Sequence, residues 1–573
     1  VMRMLQKLSH RFRPLRLSLP EFGQGRLAKH AGQGLIKRLL AIAHFWRWML
    51  LLTLFSVGGV SAQSPEGACG IVDAIDDPLD IADTLEREFN DFARFRDRWG
   101  GNHVGIDLAF NRQGDTVRAA ARGRVTVSNP AEWDTELGVV VLQHLMPDGT
   151  VFYSLYGHMV ETESLRFPPI GACVGRGDRI GLVGDPSLSR PHLHYEWRSI
   201  LPNEGGPGYV ETNPLELGWE HPLDFTAYWR VKLTGAVGGA LRFDLAPTLP
   251  PLILANGGVA LVSADQLHVI EPNGALGYRV TATDSISAVA ALSGDRIVML
   301  ADDGTLDVLQ QGRYLARWTT SAAPRDLITV GERLIVVAND GVLSAFDASG
   351  LALWTLPALG DRSVAVSAVA NGSLIGLAAR RDGVVTWRVV DADGAILSQT
   401  LLAATTPIIA ATPANTWLIL DQNALKQATS AAVTPLATVA PMPGRGARMT
   451  VGTDGAIIVF LADADASLIL LNTDGTQRWR VRYPASLSSA PLLAASECAV
   501  YALDGDGMLN IFNATDGVLA TQVALYAGGD VGTPDARLLR AFAGDQIVVG
   551  AGFLSALLMD ARVLAPALVD SCP

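Results

Sequence analysis

Between residues 252 and 570 a glycine-containing turn returns at a nearly fixed interval, and this regularity constrains the fold more than any other feature of the chain. The turn falls at Asn273-Gly274, Gln311-Gly312, Ser349-Gly350, Asp393-Gly394, Asp474-Gly475 and Asp516-Gly517. Successive glycines are 38, 38, 44, 81 and 42 residues apart. The long interval accommodates two units, one of them degenerate near Trp417–Lys426, and a last unit falls near Gln546–Arg562. Short β-branched runs flank each turn. A period of about 40–45 residues built from short strands is that of a β-propeller blade, so 252–573 is expected to form a propeller of about 7–8 blades.

Upstream the pattern changes. Residues 101–230 hold the runs Val117–Ala121, Val125–Ser128, Gly138–Leu142, Val151–Tyr156, Ile180–Val183 and His192–Trp197, separated by Gly, Asp and Pro. These read as short strands, making the whole chain all-β: a small antiparallel sheet or sandwich domain, then the propeller. Pro247–Pro251 marks a linker, expected over 231–251. The charged, amphipathic stretch Asp80–Arg98 places a helix or lead-in within 63–100.

The formal charge of −12 is unevenly spread. Residues 1–62 carry ten Lys/Arg against the single acid Glu21, leaving −21 for the remainder. An acidic body argues against nucleic acid, whose phosphates demand clustered Lys/Arg. In the basic segment, Lys37, Arg38 and Arg47 precede an apolar run from Trp48 to Val60, followed by the small-residue site Val60-Ser61-Ala62. This reads as an export signal, too short in its apolar part for a spanning helix of ~20 residues. At 62 residues it is longer than the usual ~15–30, which fits either a downstream start or an uncleaved anchor, the one route to a membrane. Either way the body is expected outside the cytoplasm: secreted, periplasmic or on the cell surface. Four cysteines suit that compartment. Of three possible pairings, Cys69–Cys173 and Cys498–Cys572 keep each bond within one domain or its lead-in, and no C-x-x-C pair is present.

Chemistry concentrates in three short motifs of the β-rich domain. In His103-Val-Gly-Ile-Asp107, a strand would put His103, Gly105 and Asp107 on one face, presenting an imidazole and a carboxylate with room between them. Alone, the motif is weak and reads more readily as a salt-bridged surface pair. In Pro-His192-Leu-His194-Tyr-Glu196, both imidazoles face one side of a strand, which favours metal ligation or catalysis over two neutral core histidines. Glu196, on the same face, is a candidate acceptor for an imidazole N–H or a plain surface Glu. Tyr156-Gly-His158 ends another strand. His144 and His221 lie outside these motifs and read as structural.

In that order, H-x-x-x-D, Tyr-x-His and P-H-L-H-Y-E resemble the lysostaphin-type (M23) metallopeptidase family, whose members cut peptide cross-links of bacterial cell walls. GDTVRAAARGRV (114–125), GVVVLQHLMPDGTVFYSLYGHM (138–159) and GACVGRGDRIGLVG (171–184) fit the same pattern, and the resemblance spans about 101–226. It implies one Zn²⁺ per chain held by His103, Asp107 and His194, with His158 and His192 as catalytic residues beside the open position. Three protein ligands and one open position is also the arrangement of catalytic rather than structural zinc. The loop Asp185-Pro-Ser-Leu-Ser-Arg190 departs from the family, with Arg190 where Gly is common, and this bears on substrate choice. Trp354 and Trp479, shortly after blade turns, make the repeats resemble the quinoprotein-like (PQQ-like) propeller. Without a vicinal cysteine pair a quinone dehydrogenase is disfavoured, and the propeller is expected to bind a protein or wall ligand. The expected function is a zinc endopeptidase acting on peptidoglycan peptides. The alternative is an inactive scaffold of the same fold that regulates other wall hydrolases.

Overall fold

The computed structural model describes residues 69–573 apart from 80–91, 235–239, 440–446, 484–489, 526–538, 551–554, 569–573 and runs of three residues or fewer. The expected signal segment and Cys572 lie outside the described residues.

The first domain is built on a mixed set of short and long strands. Its long sheet runs in the order β12 (Trp219–Glu220), β10 (Leu193–Arg198), β7 (Val151–Val160), β6 (Gly138–Leu145), β5 (Gly123–Asn129) and β8 (Cys173–Val174). β3 (Ile106–Leu108) adds to β10, while β9 (Arg179–Val183) bridges β7 and β4 (Thr116–Arg118). A small second sheet joins β1 (Phe95–Arg96), β2 (Gly101–His103) and β11 (Tyr209–Val210). Every residue of β10 is buried, because it is enclosed by β3 on one edge and β7 on the other. The strands read from sequence occur within a few residues of their expected bounds.

The lead-in is part of this domain. Val72, Ile75 and Leu79 enter its core, and Asp73, Asp76 and Asp77 pair with Arg122, Arg176 and Arg230. The Cys69–Cys173 disulfide closes the same segment onto β8.

A helix at Pro222–Leu233 ends the domain. His221 caps it, accepting from the Leu223 amide, Pro222 opens it, and Arg230 and Lys232 sit in the last turn, where the helix dipole favours cations. One side stacks Phe225 on Trp197 with ring centroids 4.4 Å apart. Ala227 and Val231 enter a different core, shared with Tyr501, Leu503, Ile547 and Leu557 of the second domain. The helix is therefore buried nearly all round, and the two domains meet through packed apolar side chains.

Among the described residues, the second domain consists of eight four-stranded antiparallel sheets. Seven are consecutive in sequence, covering 252–281, 286–319, 324–356, 364–402, 408–438, 447–482 and 492–524. The eighth takes three strands from 539–560 and its outermost from β13 (Ala240–Asp244), which pairs with Ser555–Asp560. This corrects the expectation of a linker over 231–251: those residues hold the end of the helix and the strand that closes the ring. β13 covers the outer edge of the Ser555–Asp560 strand, so the two ends of the domain are tied into one blade. The apolar cluster of Val259, Leu261 and Ile270 with Val548 and Ala556 joins the first and eighth sheets, giving an eight-bladed β-propeller.

The repeating glycines now have a role. Each lies in the turn between the third and fourth strands of a blade with positive φ. At Gly394 a Cβ would lie 2.7 Å from the Trp354 ring of the preceding blade, and Trp354 donates its indole N–H to the Ala392 carbonyl at 2.8 Å. Trp479 repeats this contact on Gly517 and the Ala514 carbonyl. The tryptophan after the turn thus fastens each such blade to the next.

Candidate active site

The histidine and carboxylate motifs converge where β2, β3, β7 and β10 meet. β10 sets Leu193, His194 and Tyr195 opposite Leu108, Asp107 and Ile106 of β3, and His194 opposite Gly157 of β7. The register therefore brings His194, Asp107 and the neighbour of His158 side by side. The H-x-x-x-D motif is not one strand as the sequence suggested. His103 ends β2 in the small sheet, Asp107 lies in β3 of the large one, and the chain changes sheets at Val104-Gly105. Gly105 is required there, since a Cβ would lie 2.6 Å from the Tyr195 carbonyl and 2.9 Å from the His194 ring.

His103, Asp107 and His194 are all buried, and together they form a group able to hold a metal ion. His103 Nε2 lies 3.0 Å from His194 Nδ1 and 3.4 Å from Asp107 Oδ1, and His194 Nδ1 lies 3.3 Å from Asp107 Oδ1. A tetrahedral zinc with bonds of 2.0–2.1 Å has ligand atoms about 3.3 Å apart, so these three atoms form one face of such a site. The donor set fits as well, with two imidazole nitrogens and one carboxylate oxygen. Burial raises the Asp107 pKa, but the charges of His103 and His192 and their hydrogen bonds outweigh it and hold the carboxyl well below its ordinary value. The ligand oxygen is thereby anionic.

His194 is oriented from behind. Its Nε2 donates to Glu196 Oε1 at 2.9 Å, which leaves the Nδ1 lone pair facing Asp107 and His103. Glu196 is fully buried, not a surface residue, and its other oxygen accepts from Arg198 and from the Trp219 indole, each at 2.9 Å. The alternation of the motif had offered Glu196 for this part, whereas Trp219 and Arg198 carried no sequence signal of it.

His158 and His192 stand beside the three ligand atoms. Their ring centroids are 4.5 Å apart, and His192 Nε2 lies 3.5 Å from Asp107 Oδ1. His158 Nδ1 is 2.8 Å from the Glu136 carbonyl, and His192 Nδ1 is 2.7 Å from that of Arg190. A carbonyl only accepts, so each Nδ1 carries a proton and Nε2 is the position left to exchange one, that of His192 facing the Asp107 carboxylate. Burial, reinforced by His192 and His194, pushes the His158 pKa down to about 3. His158 adopts a φ of 58°, in the left-handed region, unusual for a non-glycine residue in a strand. Trp133, 5.2 Å from His158 and 5.8 Å from His194, covers this corner and hydrogen-bonds the Gly206 carbonyl.

His144 and His221 are structural, in line with the sequence reading. His144 bonds the Arg122 carbonyl and Ser154 Oγ, and His221 caps its helix. The site opens into a cavity of about 770 Å³ whose walls include Phe110, Trp133, Tyr209 and the 187–190 loop. Glu136 fixes that loop by accepting from the Leu188 amide and the Ser187 hydroxyl. A face of three potential ligand atoms, two further imidazoles beside it and an open groove thus meet at one place.

Comparison with known proteins agrees with this geometry. Residues 101–207 match the model of peptidase family M23, and residues 371–561 match one described as outer membrane protein assembly factor BamB. No curated protein matches the chain by sequence. Similar solved structures include BamB from Moraxella catarrhalis, 14% identical over 56% of this chain and 96% of that one, with a TM-score of 0.41. Sqt1 of Saccharomyces cerevisiae is 12% identical over 56% and 98%, with a TM-score of 0.43. The computationally designed Ika8 protein is 18% identical over 56% and 97%, with a TM-score of 0.43. By its two family matches, the chain joins an M23-type peptidase domain to a BamB-like β-propeller.

Proposed function

We propose that this chain is a zinc-dependent endopeptidase that works outside the cytoplasm and hydrolyses peptide cross-links of bacterial peptidoglycan, with the propeller as its binding module. The observation that carries the reading is the face formed by His103 Nε2, Asp107 Oδ1 and His194 Nδ1, with His158 and His192 beside it. These three residues would hold one zinc ion. When bound there, zinc supplies a Lewis acid that polarises a carbonyl and lowers the pKa of a water to about 7.

The protein's own groups do the rest. His158 and His192, with Nδ1 committed to backbone carbonyls, accept a proton at Nε2 from the attacking water and return it to the departing amine. Protonated at Nε2, either ring also donates a hydrogen bond to the oxyanion of the tetrahedral intermediate. Glu196, buttressed by Arg198 and Trp219, keeps His194 in one tautomer. Trp133 shields the corner from bulk water. The disulfide between Cys69 and Cys173 supports an oxidising compartment.

The test is to measure zinc per chain and muropeptide release from purified peptidoglycan for the wild type and for His194→Ala. About one zinc and wall cleavage, both lost in the variant, is the expected result. A wild type that binds no zinc and cleaves no wall sinks the enzymatic reading.

A further inference from the structure

The apolar seam between the two domains is also crossed by charge. β12 is two residues long, and its two side chains turn to different neighbours. Trp219 donates its indole N–H to Glu196 Oε2 at 2.9 Å, and Glu196 Oε1 accepts from His194 Nε2 at 2.9 Å. Glu220 reaches the other way and forms an ion pair with Arg242 of β13, Oε2 to Nη2 at 2.8 Å. β13 is the outermost strand of the eighth blade. A residue of the propeller therefore holds the short strand whose indole supports Glu196, and Glu196 in turn supports a histidine of the metal face.

The surroundings of Arg242 suit it to that part. Acids of both domains face it: Glu220 and Asp224 from the peptidase side, and Asp244 of its own strand at 2.8 Å. Its side chain is 11% exposed and that of Glu220 25%, so water and salt screen the pair less than they would a surface pair. Burial works against the charge of the guanidinium, but Glu220, Asp244 and Asp224 outweigh it. Burial also lifts the Glu220 pKa above its ordinary value, and Arg242 draws it part of the way back. An enclosed carboxylate deprived of its counter-charge turns toward water. β12 pairs with β10 through Trp197–Glu220 and Arg198–Trp219, so any movement of Glu220 disturbs the strand that carries His194.

We infer that Arg242 is a positioning residue for the metal face: through Glu220 it sets β12, and through β12 the Trp219 indole that keeps Glu196 aimed at His194. The inference rests on the peptidase reading and deepens it, because it makes the propeller a support of the site as well as a binding module. The influence enters through β13, the strand that follows the peptidase helix directly.

The experiment uses the full chain and reads the metal face without turnover. Zinc affinity of Arg242→Gln, measured by competition with a chelator, is expected to fall about 3–10-fold, less than the ~10–100-fold usual for a direct partner of a ligand histidine. In metal-free protein carrying isotope-labelled tryptophan, the Trp219 indole N–H signal should shift and exchange faster with solvent. Arg242→Lys keeps the charge and should recover most of both. Asp244→Asn spares the Glu220 pair, and Ile547→Ala loosens only the apolar seam, so both should bind zinc as the wild type does. Unchanged zinc affinity in Arg242→Gln overturns the proposal, and so does an equal loss in Ile547→Ala, which would trace the effect to general loosening. Should Arg242→Gln fold poorly, Glu220→Gln removes the same ion pair from the peptidase side and should give the same loss. A wild type that binds no zinc sinks the enzymatic reading, yet the indole signal still tests the path from Arg242: an unmoved signal in Arg242→Gln overturns it.

Discussion

The two domains bury polar groups in opposite ways. In the propeller, buried charges are few and satisfied nearby: Asp307 pairs with Arg317 on the next strand, and Asp421 with Lys426 five residues on. In the peptidase domain His103, Asp107, His192, His194, Glu196 and Arg198 are all buried in one connected cluster drawn from two sheets. Local pairing serves a ring whose blades touch only their neighbours. The connected cluster leaves a face of ligand atoms pointing at one place, which is costly to bury unless something binds there. Polar burial of the second kind therefore marks function, and polar burial of the first kind marks only the fold.

The largest test of that contrast is His194→Ala. It removes one atom of the candidate metal face and, on the proposed function, is expected to cut wall cleavage about a thousandfold or more and to abolish stoichiometric zinc. Thermal unfolding of the propeller should stay where it is, which differential scanning calorimetry can follow. Conversely, Trp479→Ala empties the contact on Gly517 and the Ala514 carbonyl. A cost of about 3–5 kcal/mol is expected for a buried tryptophan, read by denaturant unfolding, with zinc content unchanged. If Trp479→Ala loses zinc, or His194→Ala unfolds the ring, the division of labour between the domains is wrong.

Acid sharpens the comparison further. His144 is fully buried, and burial pushes its pKa down to about 4 against the Arg122 carbonyl's opposing pull. Unfolded, it takes up a proton below about pH 6.5, while folded it stays neutral until about pH 4. Protons therefore favour the unfolded chain through that window, and stability falls by about 3 kcal/mol as pH drops from 6.5 to 4. His221, pushed down to about 3 by burial, acts in the same direction. The peptidase domain should thus lose stability in mild acid before the propeller does, and His144→Gln should flatten the profile measured by urea unfolding between pH 4 and 7.

What could be read from sequence follows from the range of the interactions involved. Blade turns are local: a glycine at positive φ and a tryptophan a few residues later leave their mark within one repeat, and the six turns read from the sequence sit at matching places in six blades. His103, Asp107, His158, His192 and His194 could be named from sequence because metal and proton chemistry admit few residue types, and the fold brings the five side by side although His103 and Asp107 lie in different sheets. The sheet change at Gly105 was not, since it answers to the His194 ring and the Tyr195 carbonyl ninety residues away. Nor was β13, whose partner strand lies at Ser555–Asp560. The Pro222–Leu233 helix left usable signals in Pro222, Asp224, Arg230 and Lys232. Its apolar periodicity was hidden because two domains bury it from both sides.

Glu196 sets the finest test, because it belongs to both kinds of burial. It is paired with Arg198 as Asp421 is with Lys426, yet it also accepts from Nε2 of His194, a member of the candidate metal face. Burial raises its pKa, but Arg198 and His194 outweigh that and keep it ionised. Glu196→Gln preserves the shape and removes the charge that fixes the His194 tautomer. Zinc affinity is expected to fall about 10–100-fold, the usual cost of losing such a partner, as read by competition with a chelator. Asp421→Asn removes the matching charge in the propeller and should destabilise the fold without moving zinc affinity. An equal loss of zinc in both variants would mean that the metal face responds to general stability rather than to the orientation of His194. A loss confined to Glu196→Gln would assign the Glu196–His194 bond to positioning, since glutamine still fills the space and can still accept from the Trp219 indole.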